Sequence, residues 1–247
     1  MDEKQAEELE DKLATAVSIL TWELCDMWGH ASAKTDDGQR FLLRHLRPPI
    51  DPATPVDDVL EFDLDGNLLS GLRNKPDEIF FHTCPYKTRP NIGAVIHCHP
   101  PMAIALVATG RKIIPIYQHA VHFGKGVPVS PWLYGTMREH GERALKLMGK
   151  SSALMIKGHG ALVVGETLEE ACMTMVRLER SARMILAAAA VGKPSPLPPS
   201  AANQFRSIYP GTGSKKVRDP SARSIGHATE WHYYESMIKK GERWNRL

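Results

Sequence analysis

The chain has 247 residues, long enough for a substantial core in one large domain or two small ones. Hydrophobic residues make up 43% and charged residues 24%, an ordinary globular balance. With 31 basic against 28 acidic residues the net charge is only +3, too small an excess to argue for a nucleic-acid partner, and no dense basic stripe occurs.

The four cysteines, at 25, 84, 98 and 172, form no CxxC pair, which argues against a zinc knuckle or a thioredoxin-type site. Reduced thiols in a cytoplasmic protein are the expectation. The N-terminal MDEKQAEELEDKL is acidic and helical, without the basic and apolar regions of a secretory signal. No apolar run reaches the ~18 residues that a membrane span needs, so no membrane partner is expected.

Apolar positions at Leu13, Val17, Leu20 and Leu24 predict an amphipathic helix over 3–28, with Gly29 as its stop. His30–Lys34, Arg40–His45 and Leu60–Leu64 read as strands. Pro48–Asp58 reads as a loop, and Asp65-Gly66-Asn67 as a turn that starts a hairpin. Pro76, Asp77 and Glu78 suit the first turn of a short helix over Asn74–Thr83. Gly93–Cys98 reads as a buried strand, followed by a helix over Pro101–Thr109. Ile113–Tyr117 is a further strand candidate, and Tyr134–Met148 a helix. Ala153–Ile156 and Ala161–Val164 are strands, and Leu168–Val191 is a long helix. After Gly192 the chain becomes Pro-rich, which predicts a C-terminal arm over 196–247 with a short helix near Ser224–Lys240. No internal repeat is visible. The pattern predicts one α/β or α+β domain over 1–195, a central sheet with helices on its faces.

Three segments carry chemistry. In His97-Cys98-His99, alternation along a strand points both imidazoles the same way, and two adjacent imidazoles grip a borderline metal. Taken alone, the pair fits two hydrogen-bonded histidines as well. In Gly158-His159-Gly160 the flanking glycines leave the backbone uncrowded, so the histidine can reach into a site; a plain turn fits too. Three histidines and an open position make a catalytic metal centre. Glu78, near a helix start, fits either a solvated N-terminal acid or a ligand and proton carrier. A packed core position is expected for His82, a hydrogen-bonded structural role for His122, and core filling for the methionines of 173–184.

From about Glu8 to Val191 the chain resembles the class II aldolase and adducin-like family, most specifically in PDEIFFHTCPYKTRPNIGAVIHCHPP and GHGALVVGETLEEA. The resemblance implies an α/β/α sandwich around a largely antiparallel sheet, and a homotetramer with active sites at subunit boundaries. It implies one divalent ion per subunit, Zn2+ or Mn2+ with Fe2+ also open, on His97, His99 and His159. It implies Glu78 as the catalytic glutamate, and His119 at the place of the aldolases' proton-donating tyrosine.

Departures shape the substrate expectation. Sugar-phosphate aldolases of the family carry Gly-Asn-x-Ser and a Ser-Ser pair around phosphate. Here these are Gly29-His30-Ala31-Ser32 and Pro76-Asp77. Proline offers no N–H and aspartate repels phosphate. His-x-Ser is similar to a branch that decarboxylates hydroxylated aromatic or pyridine acids. The expectation is therefore a metal-dependent lyase for a small molecule, with decarboxylation first. An aldolase for an unphosphorylated substrate, an iron oxygenase and a non-catalytic adducin-like head are the alternatives. His30 and Ser32 are candidates to hold the substrate, with Lys34 a weaker one. Arg223, Trp231, Tyr233 and Tyr234 are candidates for a lid, or for packing of the arm on a neighbouring subunit.

Overall fold

The computed structural model describes residues 3–46, 59–72, 74–208 and 220–242. The loop expected at Pro48–Asp58 lies outside them. α1 (Glu3–Leu24) precedes a meander of four strands, β1 (His30–Lys34), β2 (Arg40–His45), β3 (Val59–Asp63) and β4 (Leu68–Ser70). Then come α2 (Phe80–Thr88), β5 (Ala94–Cys98), α3 (Pro101–Ala108), a 3-10 helix (Gln118–Phe123) and β6 (Val129–Ser130). α4 (Arg138–Met148), β7 (Ala153–Ile156), β8 (Gly160–Gly165), α5 (Leu168–Val191), α6 (Pro199–Ile208) and α7 (Pro220–Lys239) complete the chain.

The strands form one eight-stranded sheet in the order β4-β3-β2-β1-β5-β8-β7-β6. Every pairing is antiparallel except β6 with β7. Alternation divides the side chains between two cores. Ala31, Ala33, Ile96, Cys98 and Val163 face the layer of α1, α3, α5 and α7. Phe41, Leu43, Val95, Leu162 and Val164 face α2 and α4. This is the α/β/α sandwich expected from the sequence. The long α5 starts on Thr167, whose side chain accepts the Glu170 N–H at 3.2 Å. No helix among the described residues is long and apolar enough to cross a membrane.

Several boundaries differ from the sequence reading. α1 ends at Leu24 because Cys25 turns into the left-handed region, φ 53°. α2 begins at Phe80, six residues later than expected, because the Phe80 N–H is taken by the Gly135 carbonyl and 77–79 close as a turn. Ile113–Tyr117 is not a strand. Its proline interrupts any ladder, and its carbonyls go to two separate loops: Ile113 accepts from Val127, and Pro115 from Leu197. The Tyr134 backbone is bonded by the His140 ring, and α4 begins only at Arg138. In the arm, α6 forms within the Pro-rich stretch, with Pro199 in its first turn, and α7 is a full 20 residues.

Candidate metal centre

The site lies on the α2/α4 face of the sheet. A cross-strand row of imidazoles runs His45, His30, His97 over β2, β1 and β5. His99 follows one residue beyond the end of β5. His159 sits in the turn between β7 and β8. Both neighbours of His159 are needed as glycines. Gly158 holds φ +71°, and a Cβ on Gly160 would lie 2.5 Å from the Cys98 carbonyl. Glu78 enters from the turn before α2, pressed in place by Gly135, where a Cβ would meet the Phe81 ring at 2.8 Å and the Glu78 Cβ at 3.0 Å.

Glu78, His97, His99 and His159 each bring one ligand-type atom to a common point, all within 4.8 Å of one another. Glu78 Oε2 lies 3.1 Å from His97 Nε2, and Oε1 lies 3.1 Å from His159 Nε2. The far side of every ring is fixed by a group that can only accept. His97 Nδ1–H donates to the Ala161 carbonyl at 3.0 Å, and His159 Nδ1–H to the Leu133 carbonyl at 2.8 Å. His99 Nδ1–H donates to Asp26 Oδ2 at 3.1 Å. A neutral imidazole bonded in this way turns its Nε2 lone pair inward. In that neutral form three lone pairs and a carboxylate converge. Glu78 Oε1 and His97 Nε2 are buried side-chain atoms without a hydrogen-bond partner among the described residues. A divalent cation satisfies all of these atoms at once, and the donor set of nitrogens and one oxygen suits zinc, manganese or iron.

Burial and the neighbouring carboxylate act on these groups in opposite directions. Burial pushes His97 down to about 4, against the pull of Glu78, so the ring is neutral at pH 7. Burial alone would raise Glu78, but His159, His30 and His97 outweigh it and hold the carboxyl far below its usual range. For His159, burial works downward, and the adjacent Glu78 carboxylate raises it overall. Asp26 is likewise opposed by burial, yet its bonds to His99 and Trp28 hold it at about 2.

A cavity of about 370 Å³ opens onto the cluster. His30, His45, Pro76, Asp77, Glu78, His99, Tyr134 and His159 are among its lining residues. His30, expected to face substrate, lines that cavity. Ser32 does not: it is fully buried, its Oγ lies 2.6 Å from His82 Nδ1 and 2.7 Å from the Tyr86 hydroxyl, and it does not line the cavity. Lys34 turns away to the Pro90 carbonyl. His119 lies exposed on the 3-10 helix beside Gln118 and the Tyr117 ring, outside the cavity lining of its own chain.

Trp231 and Tyr234 are buried with the α1/α5 layer, on the opposite face of the sheet, and Tyr234 bonds Glu23 and Arg180. They anchor α7 to its own chain and do not cover the cavity. Tyr233 is 56% exposed on the same helix. The Arg223 side chain, and Trp244 altogether, lie outside the described residues. Asp26 and Tyr134 were not anticipated. Asp26 has no local signal, because its partner is 73 residues away. Tyr134 stands in an aromatic pair with Trp132 in the loop before α4, a segment the sequence placed in a helix.

Residues 22–186 match the family described as Class II Aldolase and Adducin N-terminal domain. The decarboxylase NovR of Streptomyces niveus is 30% identical over 170 residues, 67% of this chain and 63% of that protein. The 3,4-dihydroxyphthalate decarboxylase of Arthrobacter keyseri is 30% identical over 178 residues, 66% of this chain and 71% of that protein. The chain thus spans less than two thirds of NovR. Among solved structures, an aldolase II superfamily protein from Pseudomonas syringae superposes with a TM-score of 0.78 at 21% identity, covering 98% of this chain and 95% of that one. The L-fuculose 1-phosphate aldolase from Glaciozyma antarctica PI12 superposes with a TM-score of 0.76 at 19% identity, covering 98% and 93%.

Proposed function

The chain belongs to the class II aldolase and adducin family, and from that premise we propose that it is a divalent-metal-dependent lyase that breaks a carbon–carbon bond in a small, unphosphorylated substrate carrying two adjacent oxygens. The observation that carries this is the convergence of Glu78, His97, His99 and His159 on one point, with the histidine lone pairs turned inward. When bound, the cation supplies Lewis acidity to substrate oxygens.

The chain's own residues do the rest. Aldol cleavage begins with removal of a hydroxyl proton, and Glu78 is the carboxylate within reach of the centre. As the proton moves to Glu78, the carbon–carbon bond breaks. An aldehyde leaves, and the electron pair stays on the other fragment as an enolate. Glu78 then returns the proton to carbon. His30 offers a polar contact on the same side, and Tyr134 lines the opening. Pro76 and Asp77 on the cavity wall disfavour a phosphate group.

A second reading is decarboxylation of a hydroxylated aromatic or heteroaromatic acid. The relative named 3,4-dihydroxyphthalate decarboxylase supports it. There the departing fragment is carbon dioxide, and the pair left behind is capped by a proton from a protonated acid. A homotetramer and an arm over 196–247 belong to the same reading and are checked by the mass of the protein in solution.

The test is a screen of metal-loaded protein. Release of aldehyde from unphosphorylated ketol substrates supports the first reading, and release of carbon dioxide from hydroxylated aromatic acids the second. Oxygen consumption with ferrous iron, in place of either, would contradict both.

A further inference from the structure

Four side chains form a buried line that ends at the metal cluster. The Tyr86 hydroxyl lies 2.7 Å from Ser32 Oγ, Ser32 Oγ 2.6 Å from His82 Nδ1, and His82 Nε2 2.6 Å from His30 Nδ1. His30 Nε2 then faces Glu78 Oε2 at 3.8 Å. All four residues are almost wholly buried.

Each link needs one proton, and two arrangements are possible. In one, Tyr86 O–H donates to Ser32, Ser32 O–H to His82 Nδ1, and His82 Nε2–H to His30 Nδ1. His30 then carries its proton on Nε2 and presents it to Glu78. In the other, His30 Nδ1–H donates to His82 Nε2, His82 Nδ1–H donates to Ser32, and Ser32 O–H goes to the Val95 carbonyl at 3.4 Å. That second arrangement keeps the three short contacts but leaves the Ser32 proton only the longest contact in the group. It also sets a His30 lone pair against a carboxylate oxygen.

We infer that Tyr86, Ser32 and His82 are positioning residues that hold His30 as an Nε2–H donor, and that His30 binds an anionic oxygen of the substrate on the side of the centre nearest β1. His97, His99 and His159 offer lone pairs at the centre, whereas His30, the fourth imidazole there, offers a proton. It therefore serves the substrate's negative charge and not the cation. The inference rests on the lyase reading only for the nature of that oxygen.

The test uses zinc-loaded protein with 15N-labelled histidine, and acetohydroxamate as a probe that chelates through two oxygens. Imidazole 15N–1H spectra, with the His30 signal identified by its loss in His30→Asn, are expected to show a proton on Nε2. His82→Leu leaves His30 Nδ1 without a donor. It is expected to weaken acetohydroxamate about tenfold, the worth of one hydrogen bond, at unchanged zinc stoichiometry. His82→Gln, whose amide can donate to Nδ1, restores most of the affinity. If His82→Leu does not fold, Ser32→Ala carries the same expectation with a several-fold loss. A proton on His30 Nδ1, or unchanged probe affinity in the folded variant, would overturn the inference. Failure to cleave any substrate would instead count against the lyase reading, because neither readout depends on turnover.

Discussion

Asp26 Oδ2 holds His99 twice, accepting its backbone N–H at 2.7 Å and its Nδ1–H at 3.1 Å. Its other oxygen accepts the Trp28 N–H at 2.9 Å. The end of α1 is thus tied to the end of β5 by one carboxylate, which also fixes which nitrogen of His99 faces the centre. Asp26→Asn keeps the shape but removes the charge and one certain acceptor. Metal affinity is expected to fall by about 10- to 100-fold, as for other groups that orient a ligating imidazole. Isothermal titration with zinc checks it, and an unchanged dissociation constant would contradict it.

Gly29 lets these segments approach. A Cβ there would lie 2.6 Å from the His97 carbonyl and 2.9 Å from both Asp26 Oδ2 and Cys98 Sγ. Gly29→Ala is expected to cost roughly 1–3 kcal/mol of stability, the usual scale for overpacking, and to weaken metal binding with it. Gly192→Ala is the control, since a Cβ there meets nothing within 4 Å. Equal melting temperatures for the two variants would contradict this account.

Away from the centre, His122 and His227 stand beside Arg177, which donates to His227 Nε2 at 2.8 Å and is paired with Glu230. Burial, reinforced by the Arg177 charge, pushes each imidazole down to about 3. In the unfolded chain each titrates near 6.5. Between those values the unfolded state binds more protons, so stability is full above about pH 6.5 and falls as pH drops toward 3. Urea denaturation at pH 7 and pH 5 measures this. His227→Phe is expected to flatten the acid loss, and an unaltered pH slope would contradict the assignment.

Glu78 is a proton carrier in this account as well as a neighbour of the three imidazoles. Glu78→Gln is expected to retain the metal, held by the histidines, and to slow turnover by about 10²- to 10⁴-fold. Metal analysis alongside the rate separates the two effects. Turnover within twofold of the wild type would rule out the proton role.

What was legible in the sequence, and what was not, follows from how local each signal is. His97 and His99 were readable because strand alternation is a short-range rule, and His159 because its glycines flank it directly. The strands β1 and β5 and the helix α5 were placed to within a residue by their apolar patterns. Asp26 was invisible, because its function depends on a helix ending early and meeting a strand 73 residues on. Ser32 was read toward the substrate because it stands where the family's aldolases hold phosphate and shares a face with His30 by alternation. Alternation does put it on the site's face, but Tyr86 and His82 close over it, and neither contact has a sequence signature. The start of α2 was misplaced for the same reason: a carbonyl from Gly135, 55 residues on, takes the hydrogen bond that an earlier helical turn would need.

The most direct test of the account is the metal content of purified wild-type protein and of His97→Ala, measured by elemental analysis after dialysis against a weak chelator. The account predicts close to one zinc, manganese or iron ion per chain in the wild type and almost none in the variant. Full stoichiometry in His97→Ala would contradict it, as would a wild-type protein that takes up no divalent ion.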